Sequence, residues 1–237
     1  MLLVDGQPLT SDQLRDILRL PSLVASTAAF LGQEQLSVPP STRALCVLQG
    51  EAAALAAAPG AAPGWLLGSQ DATTCVIAIL HCAHTRSAWA AHLDGPLSPE
   101  DAGEIQSAVA RMGPRPQLLL AGGYADSRGT GPPLAQHLLL FFDRVVQQPV
   151  ELGLACVGAA NTLPDGGPAS RQLLVDVASG QAHPWLFADR GPEVVRRWAA
   201  AERVRRWGST QPAAKRGARG RACARRDRRR VQCRLRQ

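Results

Sequence analysis

Cys75 and His92 are the pair of side chains whose types and spacing best suit catalysis. A free thiol is mostly protonated at neutral pH and becomes a strong nucleophile only beside a base. Cys75 lies in an apolar run expected as a buried strand over Thr73–Leu80. His92 follows seventeen residues later, at the end of the next expected strand, Ala88–Leu93. Two antiparallel strands joined by a loop bring such ends side by side. A hydroxyl or carboxylate then has to fix the imidazole tautomer, and Ser69, Asp71 and Asp94 are the nearby candidates. Spacing alone is a weak signal, because a cysteine opening an apolar strand is more often a core thiol.

A zinc reading competes for the same region, where Cys75, His81, Cys82, His84 and His92 crowd together. If the strand continues to residue 84, His81 and Cys82 point to opposite faces, and there is no Cys-x-x-Cys pair. No metal site is therefore expected, and His81 and His84 are read as loop residues.

The elements that must position the pair form an α+β pattern. Leu2–Val4 reads as a strand and Ser11 as the cap of an amphipathic helix carrying Leu14, Ile17 and Leu18. Arg43–Gln49 reads as a strand, and the alanine-, proline- and glycine-rich Ala52–Gly64 as a loosely specified surface insertion. Ser98-Pro99-Glu100-Asp101 is a strong helix start, with the helix running to Met112 before Gly113-Pro114. Gln117–Ala121 is a strand ending in Gly122-Gly123. From Pro132 to Gln148, Leu134, Leu138, Phe141, Phe142 and Val145 give a second helix one buried face. Val150–Val157 is a strand, and Gln172–Val177 with Gln181–Phe187 a hairpin around Ala178-Ser179-Gly180. Hairpins mixed with helical crossovers argue against a doubly wound sheet.

The chain has 237 residues, 46% hydrophobic and only 4% aromatic, so aliphatic side chains and alanine must carry the packing. The formal charge of +7 averages two unlike parts. Residues 1–195 hold ten arginines, no lysine and seventeen acids, net −7; residues 196–237 hold fifteen arginines, Lys215 and two acids, net +14. A domain over 1–200 and an arginine-rich, disordered tail over 201–237 are expected. Nucleic acid or an acidic partner is plausible only through that tail, by counterion release. Trp198 and Trp207 both precede its densest arginines, so stacking platforms are lacking. No run reaches the ~18 apolar residues of a membrane helix, and the opening Met-Leu-Leu-Val-Asp-Gly has no basic region of a signal peptide. Six irregularly spaced cysteines suit a reducing cytosol or nucleus rather than a disulfide framework. Membrane attachment is not expected, and a monomer is the default.

The segment Gly-Ser-Gln-Asp-Ala-Thr-Thr-Cys (68–75) resembles the nucleophile motif of the protein N-terminal asparagine amidohydrolases. Leu-Leu-Val-Asp-Gly (2–6), Ala-His-Leu-Asp-Gly (91–95) and Leu-Ala-Gly-Gly-Tyr-Ala-Asp (120–126) are similar in order and spacing. So are Gln-His-Leu-Leu with Phe-Asp-Arg (136–144) and Ala-Asp-Arg-Gly-Pro-Glu (188–193). The likeness spans about residues 1–200 and implies distant kinship with the chemotaxis-type glutamine deamidases. Those use a Cys–His pair and a hydroxyl residue on a β-sandwich flanked by helices. By that analogy Cys75 is the nucleophile, attacking as thiolate, His92 the base and Ser69 the hydroxyl partner, with Asp71 second choice for the last role.

The implied reaction deamidates an N-terminal asparagine to aspartate, feeding the N-degron pathway, with protein or peptide substrates and no cofactor. Backbone N–H groups of Cys75 and Thr74 are the candidate oxyanion donors. A carboxylate must recognise the substrate's α-ammonium, and Asp71, Asp94 and Asp126 lie in motif segments. Gly122 and Gly123 would allow close backbone approach to substrate. Two departures stand out: residue 2 is leucine where some relatives carry proline, and after Ala201 arginine-rich text replaces the family's continuation. The latter is what a truncated or alternative isoform, inactive if the missing part completes the sheet, would show.

Overall fold

The computed structural model describes residues 1–10, 13–14, 16–39, 41–56, 65–126, 131–188 and 190. The expected arginine-rich tail and the proposed cap Ser11 lie outside them. The first half contains β1 (Leu2–Val4), β2 (Gln7–Pro8), α1 (Pro21–Leu31), β3 (Ser37–Val38), β4 (Ala44–Cys46), β5 (Ala52–Ala56), β6 (Leu66–Ala72), β7 (Val76–Cys82) and β8 (Ser87–Leu93). The second half contains α2 (Pro99–Met112), β9 (Gln117–Tyr124), α3 (Gly131–Arg144), β10 (Val150–Gly158), β11 (Arg171–Asp176), β12 (Ala182–His183) and β13 (Leu186–Phe187).

The strands form a seven-stranded sheet in the order β2-β1-β10-β9-β7-β8-β5 and a four-stranded sheet in the order β12-β11-β6-β4. A two-stranded ribbon pairs β13 with β3. Alternation along β7 shows how the layers stack. Val76, Ala78, Leu80 and Cys82 pack with Ile105, Val109, Leu138 and Phe142 of α2 and α3. Ile77 and Ile79 pack with Leu67 of β6 and Leu173 and Val175 of β11. Helices thus cover one face of the large sheet and the small sheet covers the other, an α+β sandwich. Both faces of β7 and β8 are dry, which is why Thr73–Leu80 reads as an unbroken apolar run.

The start and stop of α2 follow the sequence closely. Ser98 Oγ accepts from the Asp101 N–H at 3.2 Å, and Asp101 accepts from the Ser98 N–H at 2.9 Å, completing a capping box. Elsewhere the chain departs from expectation. Of the helix expected from Ser11, Gln13 and Leu14 are helical, with Thr10 Oγ1 accepting from the Gln13 N–H at 3.2 Å, while Ile17 and Leu18 belong to a 3-10 turn, Ile17–Arg19, that precedes α1. Pro21 forces the break: its ring disfavours a helical Leu20, which sits extended at φ −62, ψ 131, and suits the first position of a new helix. Ala52–Ala56, expected as part of a surface insertion, is an edge strand on β8. In α3 the helix ends at Arg144, so Val145 is exposed and Val146 takes the buried position. The hairpin partner of β11 stops at His183, where Pro184 removes a ladder donor, and Leu186–Phe187 pairs with β3 instead.

Replacing Ser98 with alanine should cost about 1 kcal/mol of unfolding free energy in a denaturant titration. The site described below lies on other elements, so its chemistry should not change with the loss of this cap.

Candidate active site

β7 and β8 pair antiparallel with Ile77 opposite His92 and Val76 opposite Leu93. Continuing that register places Cys75, one residue before β7, beside Asp94. His92 shares its side of β8 with Ala88 and Ala90, the face covered by the small sheet. It is 3% exposed.

Ser69 reaches His92 from the opposing layer. It lies on β6, two residues from inward-facing Leu67, and is 1% exposed. Its Oγ donates to the Val47 carbonyl at 2.5 Å and stands 2.8 Å from His92 Nδ1. A carbonyl only accepts, so the single hydroxyl proton is committed to Val47, and Nδ1 must be the N–H donor to Ser69. Nε2 then carries the lone pair. It is buried and has no hydrogen-bond partner.

Burial dominates the electrostatics. It lowers the His92 pKa to about 4, although the carboxylates of Asp94 and Asp71 pull the other way. It also raises the Cys75 thiol above its ordinary value, with Asp94 adding to the rise and hydrogen bonds from Thr74 and the residue's own backbone opposing it. At neutral pH both side chains therefore rest uncharged, as thiol and imidazole. Cys75 itself is only partly buried.

The remaining candidates occupy different surroundings. Asp71 has φ +64 where β6 bulges, with Ser69 opposite Leu173 but Ala72 opposite Arg171. Its exposed carboxylate pairs with Arg190 at 2.5 Å. Asp126 accepts from the Gly131 N–H at 2.7 Å, where α3 begins. Asp94 is partly exposed and accepts from Gln49 Nε2 at 3.2 Å. Gly122 (φ +112) and Gly123 (φ +59) face the Cys75 backbone: a Cβ on Gly122 would collide with the Cys75 carbonyl oxygen, which the Gly123 N–H holds at 2.7 Å. Among the described residues, no three or more His, Cys, Asp or Glu gather in a way that could hold a metal ion.

Val47 contacts Ser69, Arg190 contacts Asp71 and the buried Asn161 contacts Gly122, and sequence reasoning singled out none of the three. Arg190 lies within the Ala-Asp-Arg-Gly-Pro-Glu motif, which could have suggested a role. Val47 acts through its backbone, and no local pattern marks Asn161.

The low His92 pKa has a consequence for stability. Between pH 6.5 and about 4 the unfolded chain binds a proton at this residue that the folded chain refuses. The stability is therefore full above pH 6.5 and lost as pH falls toward 4, by about 3 kcal/mol from this residue. His81 and His183, also lowered by burial, add losses of the same sign. Denaturant unfolding from pH 7.5 to 4.5 should show the decline, shallower in His92→Gln; equal slopes would contradict it.

The sequence profile of the family described as protein N-terminal asparagine amidohydrolase matches residues 34–206, well over half of the chain. The protein N-terminal asparagine amidohydrolase of Sus scrofa is 29% identical over 202 residues, 81% of this chain and 64% of that protein. The Mus musculus protein of the same name is 29% identical over 211 residues, covering 84% and 66%. The Homo sapiens protein is 29% identical over 203 residues, covering 81% and 64%. The chain thus spans just under two thirds of the length of these curated relatives. With a profile match of this extent, the chain belongs to the protein N-terminal asparagine amidohydrolase family.

Proposed function

We propose that this chain hydrolyses the side-chain amide of an N-terminal asparagine in proteins or peptides, giving aspartate and ammonia. The observation that carries the reading is the His92 imidazole, its Nδ1 2.8 Å from the Ser69 hydroxyl and its Nε2 buried and without a partner, on the β8 strand whose ladder with β7 runs up to the residue after Cys75. In this reading Cys75 is the nucleophile, His92 the general base and Ser69 the residue that fixes the tautomer.

The thiol and imidazole start neutral, so the proton moves as the bond forms. Cys75 Sγ attacks the amide carbon while His92 Nε2 takes the thiol proton. The tetrahedral oxyanion is held by backbone N–H groups of Cys75 and Thr74, such donors being worth roughly 3–4 kcal/mol each. His92 returns the proton to the departing nitrogen, the C–N bond breaks, and ammonia leaves a thioester. Water activated by Nε2 then hydrolyses the thioester and restores the thiol.

Asp94 is the proposed anchor for the substrate's α-ammonium. Of the three acids singled out, Asp71 is ion-paired with Arg190 and Asp126 holds the Gly131 N–H at the start of α3; Asp94 accepts from the exposed Gln49 amide, and its charge is the one that raises the Cys75 thiol. An ammonium bound there would also weaken the field that holds the thiol proton on. The product is an aspartate terminus, which the N-degron pathway can take up, and the four described cysteines are all free thiols, as suits the cytosol or nucleus.

The test is mass spectrometry on a peptide pool with N-terminal Asn, N-terminal Gln or internal Asn, incubated with the chain or with Cys75→Ala. Conversion of N-terminal Asn alone, abolished in the variant, is expected. A folded chain that converts nothing, or a variant that still converts, would sink the reading. Asp94→Asn should raise KM about tenfold, the loss of roughly one charge pair. The same change should lower the pH at which Cys75 becomes alkylatable, because a like charge is removed. An unchanged KM would remove Asp94 from the substrate site.

A further inference from the structure

A buried polar cluster behind Cys75 takes no part in the reaction steps above. Asn161 is 0% exposed and closes the 3-10 turn Ala159–Asn161 that follows β10. Its Nδ2 donates to the Gly122 carbonyl and, at 2.6 Å, to the Cys156 carbonyl. Its Oδ1 accepts from Arg171 Nε at 2.6 Å and from the Cys156 thiol at 3.4 Å. A guanidinium only donates and a carbonyl only accepts, so these partners fix which way the amide faces. Arg171 Nη2 also donates to the Ala160 carbonyl at 2.8 Å, tying the guanidinium to the same turn.

The cluster sits where the β9–β10 ladder turns irregular, between the Val157–Gly122 and Gly158–Tyr124 pairs. The Asn161 amide bridges the two strand ends there. On the other side of Gly122 is the nucleophile's own loop. Gly122 abuts the Cys75 carbonyl, Gly123 N–H holds that carbonyl, and Tyr124 N–H donates to the Thr73 carbonyl at 3.0 Å. A continuous set of contacts therefore runs from Arg171 on β11, through Asn161, to Gly122 and Cys75.

We infer that Asn161, oriented by Arg171, is a positioning residue for Cys75: it fixes the end of β9 on which the 73–75 loop is clamped, and so sets Sγ against His92 Nε2. This rests on the reading of Cys75 as the nucleophile. A small displacement of a reacting atom costs far more in rate than in substrate binding. A network of this kind also contributes to stability, so the test has to separate positioning from general loosening.

Three full-length variants serve: Asn161→Asp, which loses the Nδ2 donors; Arg171→Gln, which loses the orienting fork; and the milder Arg171→Lys. In each folded variant, iodoacetamide alkylation is followed by mass spectrometry at every cysteine, alongside kcat and KM on an N-terminal Asn peptide. Alkylation of Cys75 at about pH 8 should rise at least ~5-fold as the half-buried thiol becomes more exposed. Cys46 and Cys82, both buried and outside the Asn161–Arg171 hydrogen bonds, should stay unreactive. kcat should fall ~10-fold or more with KM within about twofold. Any variant that fails to fold leaves the decision to the others. Folded variants with the wild-type Cys75 profile would overturn the inference, as would Cys46 and Cys82 becoming reactive in step with Cys75. Should the wild-type chain lack turnover, the function reading fails by itself and alkylation alone decides the positioning role.

Discussion

The hydroxyl proton of Ser69 decides more about this molecule than any other atom. It is committed to the Val47 carbonyl, and that commitment makes His92 Nδ1 a donor and leaves Nε2 as a base. The arrangement joins two layers, because Ser69 belongs to the small sheet and His92 to the large one. Ile77 and Ile79 from one layer and Leu67, Leu173 and Val175 from the other form the dry interface that holds them in register. The candidate site is therefore a product of sheet-on-sheet packing. A change that lets the sheets slide would free the imidazole to choose the other tautomer.

Burial also sets the charge state. An imidazolium at 3% exposure would lack solvation, and its two flanking carboxylates do not make up the deficit. The thiol is penalised in the same sense, and Asp94 reinforces it. A resting ion pair would be costly here, while a neutral pair needs no compensation until a substrate arrives. In the proposed reaction the substrate brings the positive charge with it, as its α-ammonium. Asp94 is then both an obstacle to premature ionisation and an anchor for the group that removes the obstacle.

Much of the framework was legible in the sequence because local signals agreed with the fold. The capped α2, the doubly buried β7 and the Cys75-to-His92 spacing all rest on short-range patterns. β6 was harder: Gly68, Ser69, Gln70 and Asp71 are poor strand formers, and only pairing to β4 and β11 on either side makes them one. β5 escaped for the same reason, since alanine has little strand preference and the ladder to β8 supplies the order. Within the site, residue types pointed to Cys75 and His92 and left Ser69, Asp71 and Asp94 open, the family resemblance favouring Ser69; nothing local pointed to Val47 or Asn161. Those two act through a backbone carbonyl and through a contact 39 residues distant in sequence, neither of which leaves a local pattern. The glycine pair at 122–123 suggests close approach by a substrate backbone, yet what approaches it in the structure is the Cys75 loop.

Everything above requires a neutral His92 with its proton on Nδ1. Imidazole nitrogen NMR on the chain labelled at histidine, with His92→Gln to assign the signals, reads tautomer and titration together. The expected spectrum is that of an Nδ1–H tautomer at pH 7 that titrates at about 4. An Nε2–H tautomer, or an imidazolium that persists at pH 7, would contradict it.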